Sequence, residues 1–290
     1  MGNRFVFVGN RRFVLERMLQ DGLELSAVFV VPGTHLQRDL ERGVLGDVAH
    51  AIVIRDKADL LARLRTTGFD VLVSNGCPYI LPVADLPKAR YVNIHPSYLP
   101  DLRGADPAIG AVLFGRDAGA TCHVMDTGID TGPIIAQVRI PFSEDLDVTT
   151  LYQLSFVAEQ QSFSQALARD FQPAFEQIEH GDLMYYSRRK EDRIIDFTES
   201  NERTLRKVKA FNNRSAGCEF MVQGHRFRAY SARSMENPFL ADFVCGFPAL
   251  TVALSYESCI VFHKDGQTLR FEQIDSIDGA VISVGDRLGR

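Results

Sequence analysis

Four short runs, residues 5–8, 27–31, 51–54 and 71–73, are apolar at every position, and each ends abruptly in polar or turn-forming residues. A strand with one wet face alternates apolar and polar side chains; a run without alternation has to be buried on both faces, as in a parallel sheet covered by helices. The segments between the runs fit that demand. Val14, Leu15, Met18 and Leu19 recur at helical spacing after the first run, and Leu60, Leu61 and Leu64 share one face of a predicted helix over 57–65. Strand, helix and strand in succession predict an α/β fold built on a mostly parallel sheet.

Further along, the pattern predicts a short helix over 107–114, strands over 120–125 and 134–140, and a long helix over 148–171. The long helix carries Leu151, Leu154, Val157, Phe163, Leu167 and Phe171 and is ended by Pro173. A charged stretch, 186–193, then leads to a predicted helix over 202–211. Short β-like runs follow at 220–222, 227–230, 249–254, 259–262 and 282–284. The expected organisation is an α/β domain over 1–185, a linker over 186–201 and a small β-rich domain over 202–290. Charge supports the division: residues 1–199 carry 20 basic and 27 acidic side chains, a net of −7, and residues 200–290 carry 12 and 10, a net of +2.

Apolar content of 46% with 24% charged residues suits a packed globular protein. The longest weakly polar stretch, 243–256, contains Gly246 and Pro248 and falls short of the about 20 residues a bilayer demands, so no membrane span is expected. The first dozen residues run straight into a strand and lack signal-peptide organisation, which predicts a cytoplasmic protein. Five cysteines without CxxC spacing indicate reduced thiols. The turn after the first run is not GxGxxG, and P-loop, GxSxG and HExxH motifs are missing. Seven histidines without ligand spacing predict no catalytic metal, and a net charge of −5 disfavours a large nucleic-acid footprint.

Two segments can carry chemistry. At the end of a strand over 91–95, alternation puts Asn93 and His95 on one side and Val92 and Ile94 on the other. Open α/β sheets bind ligands at such carboxyl ends. The second segment, 125–133, is a glycine-punctuated turn bearing Asp126 and Asp130. Taken singly, His95 reads as a structural histidine and the two aspartates as turn formers. Together they form a set: an imidazole to move a proton, a carboxylate to support its charged form, and an amide to donate to a developing oxyanion. Such a set suits transfer of an acyl-type group to an amine brought by the substrate.

The paired motifs NIHPSYLPDLRGADP, at 93–107, and MDTGIDTGPII, at 125–135, resemble the 10-formyltetrahydrofolate-dependent formyltransferases over residues 1–180. The resemblance implies a Rossmann-like formyltransferase domain in which Asn93 polarises the formyl oxygen, His95 manages protons and Asp130 positions and charges His95. It also implies a folate site at PYILP, with Tyr79, Ile80 and Leu81, beside Asp126 and Gly128. The co-substrate would be 10-formyltetrahydrofolate, with no metal.

For the acceptor, a glycinamide-ribonucleotide enzyme would resemble the first domain alone, and a formyl-folate hydrolase would carry an additional regulatory domain. Members acting on tRNA carry a basic insertion after the second strand, where residues 31–43 here read VPGTHLQRDLERG, and Tyr98 departs from their usual loop. Against this, residues 186–214 hold nine basic residues, Arg188, Arg189, Lys190, Arg193, Arg203, Arg206, Lys207, Lys209 and Arg214, against five acidic ones. The same stretch also reads as a solvated linker and helix face. The favoured acceptor is a nucleotide-linked amino sugar of the 4-amino-4,6-dideoxy type, with Asn10, Arg11, Ser97 and Arg103 as candidates for its diphosphate or sugar. Methionyl-tRNA or another small amine is the alternative, and pairing of two copies through the C-terminal domain is compatible with either.

Overall fold

A computed structural model describes residues 2–179, 181–213 and 215–289. In chain order its first elements are β1 (Arg4–Gly9), α1 (Arg12–Gln20), β2 (Glu24–Val30), α2 (His35–Glu41), β3 (Ala51–Val53), α3 (Lys57–Thr66), β4 (Val71–Asn75), β5 (Arg90–His95), α4 (Pro107–Phe114), β6 (Ala118–Val124), β7 (Ile134–Ile140) and α5 (Val148–Ala168). The C-terminal elements are α6 (Asn201–Ala210), β8 (Cys218–Val222), β9 (His225–Ala229), β10 (Ser231–Met235), α7 (Pro238–Cys245), β11 (Leu254–Tyr256), β12 (Cys259–Lys264), β13 (Gln267–Glu272) and β14 (Asp275–Ser276).

The chain divides into two compact units. The first comprises residues 1–107, 117–141 and 153–186, and the second residues 108–116, 142–152 and 187–290. The first is built on a seven-stranded sheet ordered β3-β2-β1-β4-β5-β6-β7. From β3 to β5 every neighbouring pair is parallel, whereas β6 runs antiparallel to both of its neighbours, β5 and β7. The expected mostly parallel sheet is therefore present, in a Rossmann-like α/β arrangement.

Burial explains the unalternated runs. Phe5, Phe7, Val71, Val73, Val92 and Ile94 pack on one face with Val14, Leu15, Met18 and Phe163. Val6, Val8, Leu72 and Tyr91 pack on the other with Leu60, Leu64 and Phe69. The strand order turns around between β1 and β4, the switch point at which such sheets leave a crevice. The two strands approach closely there: a Cβ on Gly9 would lie 2.0 Å from the Asn75 carbonyl oxygen.

Two details of the long helix differ from the sequence pattern. It ends at Ala168, because Asp170 and Phe171 take left-handed φ values of 49° and 53°, and the turn returns Phe171 to the core. Its buried face holds Ser155, Glu159 and Ser162 as well as Leu151, Ala158 and Phe163, while Leu154 and Val157 lie exposed. The helix thus carries a buried polar stripe that an apolar count cannot register.

The second unit contains a four-stranded sheet, β10-β13-β12-β11, and a three-stranded sheet, β14-β9-β8. The β-rich expectation holds, with corrections. Helix α7 lies where no helix was expected: Asn237 caps it and Pro238 opens it, but Phe239 and Phe243 are exposed and leave no clear buried stripe. Residues 282–284 form no strand, and Ile282 instead accepts a bond from the Ser255 hydroxyl at 2.9 Å. Of the basic stretch, Arg214 lies outside the described residues. Among the described residues no helix is long and apolar enough to cross a membrane.

Candidate active site

The loops leaving β1, β4 and β5 meet the 126–130 turn around a cavity of about 450 Å³. Asn10 and Arg11 enter from β1, residues 76–81 from β4, and Asn93 and His95 from β5 itself. Tyr79, Ile80, Leu81, Asp126, Gly128 and Asp130 all line the cavity. Ile80, Leu81 and Met125 give it an apolar lining, and Asp126, Gly128 and Ile129 of the following turn line it as well. Ile80 is 61% exposed at the rim, an unusual amount of free apolar surface for a pocket wall. A larger cleft of about 730 Å³ shares Met125 and Asp126 but contains none of Asn93, His95 or Asp130.

His95 is buried. Its Nε2 lies 3.1 Å from the Leu102 carbonyl oxygen, which only accepts, so Nε2 carries a proton and Nδ1 is the basic nitrogen. Nδ1 faces Asp130 Oδ2 at 3.4 Å. The loop holds this acceptor in place by taking Leu102 to a left-handed φ of 55°. Burial pushes the imidazole below its ordinary pKa, against the Asp130 charge and the Leu102 carbonyl, which pull it upward. Burial on its own would raise the Asp130 carboxyl, but a hydrogen bond from His123 and the charges of His95 and His123 lower it to about 2.

Sequence reasoning missed His123. Antiparallel pairing of β5 with β6 sets it opposite Asn93. Its Nδ1 donates to the Val124 carbonyl at 2.8 Å; in the neutral ring Nε2 then accepts from the Asn93 amide at 3.3 Å, whereas in the protonated ring Nε2 turns its proton to Asp130 Oδ1 at 3.5 Å, the state that lowers the Asp130 carboxyl. The same amide nitrogen reaches Asp130 Oδ1 at 3.3 Å. These two bonds are long, so an incoming oxygen can compete for the amide N–H. The signal was a histidine two residues beyond Thr121 on a mostly apolar strand, and it meant nothing until the partner strand was known.

A second network lies behind the first. The fully buried Glu159 of α5 pairs with Arg11 and accepts from Asn75 Nδ2 at 2.9 Å, and Asn75 Nδ2 also reaches the Ile94 carbonyl at 3.2 Å. Burial raises the Glu159 carboxyl, opposed by Arg11 and Asn75. Arg11→Ala would strand that carboxylate, and removal of one partner from a buried pair costs about 3–5 kcal/mol. The Glu159 pKa in the folded variant would then rise further above its unfolded value. The variant's deficit relative to wild type is therefore expected to be smallest below about pH 4, the unfolded carboxyl range, and to grow as pH rises towards neutrality. Urea unfolding across pH measures this; a deficit independent of pH would contradict it.

Two candidates sit elsewhere. Ser97 is fully buried, and its hydroxyl donates to the Asp101 carbonyl at 2.9 Å. Arg103 turns towards the end of the unit, donating to Glu179 at 2.6 Å and to Gln177 Oε1 at 2.8 Å, and is not among the cavity's lining residues. Among the described residues no group of three or more His, Cys, Asp or Glu side chains is placed to hold a metal ion.

Residues 50–167 match the formyl transferase family, and residues 188–288 match the formyl transferase C-terminal domain. A methionyl-tRNA formyltransferase of Novosphingobium aromaticivorans is 30% identical over 268 residues, covering 86% of this chain and 85% of the relative. One from Janthinobacterium sp. (strain Marseille) is 34% identical over 160 residues, 53% of this chain and 51% of that protein. In three dimensions, the N-formyltransferase from Helicobacter canadensis, solved with folinic acid and dTDP-3-aminofucose, superposes with a TM-score of 0.70. The match covers 94% of this chain and 99% of that one at 18% identity, which speaks for the fold. An α/β crevice that gathers an amide, two imidazoles and a carboxylate defines a group-transfer enzyme. The chain belongs to the formyl transferase family and is an N-formyltransferase.

Proposed function

We propose that the chain transfers the formyl group of 10-formyltetrahydrofolate to the amine of a nucleotide-linked amino sugar. The observation that carries the transfer chemistry is the Asn93, His95, His123 and Asp130 cluster lining one cavity. An apolar lining of Ile80, Leu81 and Met125 together with Asp126 and Gly128 suits a flat heteroaromatic ring with polar edges. The folate supplies an activated formyl carbon on nitrogen.

The roles follow from the geometry. The Asn93 amide donates to the formyl oxygen as negative charge grows there, and His123 keeps the NH₂ end of that amide turned towards the cavity by accepting from it. His95 Nδ1 takes a proton from the attacking amine and returns it to the departing folate nitrogen. Asp130 stabilises the imidazolium formed in between. The new bond joins the acceptor nitrogen to the formyl carbon, the old carbon–nitrogen bond breaks, and the proton is conserved.

The preference for a small acceptor rests on the basic stretch, where several of the described cations already have partners. Arg193 pairs with Glu219 at 2.9 Å, Arg206 with Glu202 at 2.7 Å and Lys207 with Glu199 at 2.7 Å; Arg203 donates to the Leu113 carbonyl at 2.9 Å, and Lys209 bonds the Glu144 carbonyl. Cations held this way offer little to a phosphate backbone. The sequence relatives, named methionyl-tRNA formyltransferases, favour the second reading, in which initiator tRNA carries the amine. Incubation with 10-formyltetrahydrofolate and a panel of nucleoside-diphosphate amino sugars beside initiator Met-tRNA separates the two. Formylation of a sugar nucleotide is the expected result, and transfer to tRNA alone would overturn the small-acceptor reading. We further propose that catalysis belongs to residues 1–185, that 186–201 act as the linker, and that 202–290 form a separate domain.

A further inference from the structure

Asp130 is placed by its backbone more than by packing around its side chain. Its φ is 56°, a left-handed conformation that a non-glycine residue keeps only when its surroundings impose it. From its own motif neighbourhood the carboxylate receives only long contacts, including the Gly104 N–H at 3.5 Å. The short bonds come from Gln177, which lies beyond α5 and outside both motifs. Its amide donates to the Asp130 carbonyl and to the Gly132 carbonyl, each at 2.8 Å, and its Oε1 accepts from Arg103 Nη2 at 2.8 Å.

Both amide hydrogens and the amide oxygen are therefore spent on joining two loops. Arg103 stands directly between Leu102, whose carbonyl holds His95, and Gly104, whose N–H reaches Asp130. The clamp thus ties the backbone of the carboxylate's turn to the loop that orients the imidazole. A side chain that merely closed the end of the unit would not need to reach both. We infer that Gln177 is a positioning residue for formyl transfer, setting the His95–Asp130 contact by bridging the Asp130 turn to Arg103. The inference rests on reading His95 and Asp130 as the proton-handling pair.

The charged and titratable groups facing His95 are Asp130, His123 and Arg11, with the Leu102 carbonyl on its other nitrogen. Of these, Asp130 is the one the clamp controls. Gln177→Leu removes all three bonds, whereas Gln177→Glu keeps the volume and an acceptor for Arg103 but loses both donors. In the full-length chain, the His95 ring resonance, assigned by its absence in His95→Ala, can be titrated by NMR without any substrate. Both Gln177 variants are expected to titrate His95 at lower pH than wild type, moving towards the midpoint seen in Asp130→Asn. With the acceptor that the wild type formylates in the panel above, kcat is expected to fall roughly 10- to 100-fold while KM for 10-formyltetrahydrofolate stays within about 2-fold, as misplacement of a reacting group predicts. In an Asp130→Asn background, Gln177→Leu should lower kcat no further.

A wild-type His95 midpoint in folded Gln177→Glu, a wild-type kcat, or full additivity with Asp130→Asn would each overturn the clamp. If His95→Ala and Asp130→Asn themselves keep wild-type rates, the acid–base reading falls regardless of Gln177. If those two lose activity while the Gln177 variants retain it, only the clamp falls.

Discussion

His95→Ala is expected to lower formyl transfer by about three orders of magnitude, the middle of the range for loss of a positioned acid–base group. Two effects combine. The Nδ1 nitrogen that would take the proton of the amine is lost, and Asp130 is left facing a void with its charge unneeded. Binding of the folate should change little, because the residues proposed to hold it, Tyr79, Ile80, Leu81, Asp126 and Gly128, are left intact. The loss should therefore appear in kcat, with KM for the donor within a few-fold. The imidazole is packed beneath the 96–104 loop, so a melting curve belongs with the assay. A well-folded His95→Ala chain with more than a tenth of wild-type kcat would remove His95 from the mechanism.

Asp130→Asn should cost about 10²–10³ in kcat and also move the pH profile. In the wild type, burial places the His95 pKa below the ordinary imidazole value of about 6.5, so the acid limb of kcat/KM is expected below that pH. Asp130 opposes that shift. Without its charge His95 holds a proton less well, so the limb should move to still lower pH as the plateau falls. The double variant should be no slower than His95→Ala alone, since groups acting as one unit are not additive. Stability offers a separate check. The folded carboxyl, lowered to about 2, lies below its unfolded value near 4, so its stabilisation is complete above pH 4 and lost as pH falls towards 2. Asp130→Asn should lack that share of acid-induced destabilisation. An unchanged acid limb in an active, folded variant would show that Asp130 does not act through His95.

How the site was legible differs from residue to residue. Asn93 and His95 could be placed together because strand alternation is a local rule, and β5 obeys it: Val92 and Ile94 go to one core and Tyr91 to the other. Asp130 could be proposed from a turn motif of known order and separation. His123 needed the register between β5 and β6, which depends on which strands become neighbours. Gln177 needed the return of the chain after α5, and no periodicity marks it.

Arg103 and Ser97 show how a loop can redirect side chains. Their position in a polar loop beside the site made them candidates for contacting substrate, yet the loop folds so that Arg103 braces Gln177 and Glu179 while Ser97 secures the loop to itself. A side chain's neighbours in sequence do not determine the direction in which it leaves the backbone. Charge behaves likewise: nine basic residues in 186–214 look like an anion-binding stretch until partners such as Glu199, Glu202 and Glu219 compensate several of them.

By itself, the sequence determined the α/β class, the strand ends that carry the site and the identity of the amide, imidazole and carboxylate, because burial on two faces and alternation are written in nearest neighbours. Only the tertiary structure decided which nitrogen of His95 is basic, that His123 meets Asn93, that Glu159 contacts Arg11 and Asn75, and that Gln177 bonds the Asp130 backbone. Each of those depends on groups brought within hydrogen-bond reach from distant parts of the chain, and that distance is set by packing.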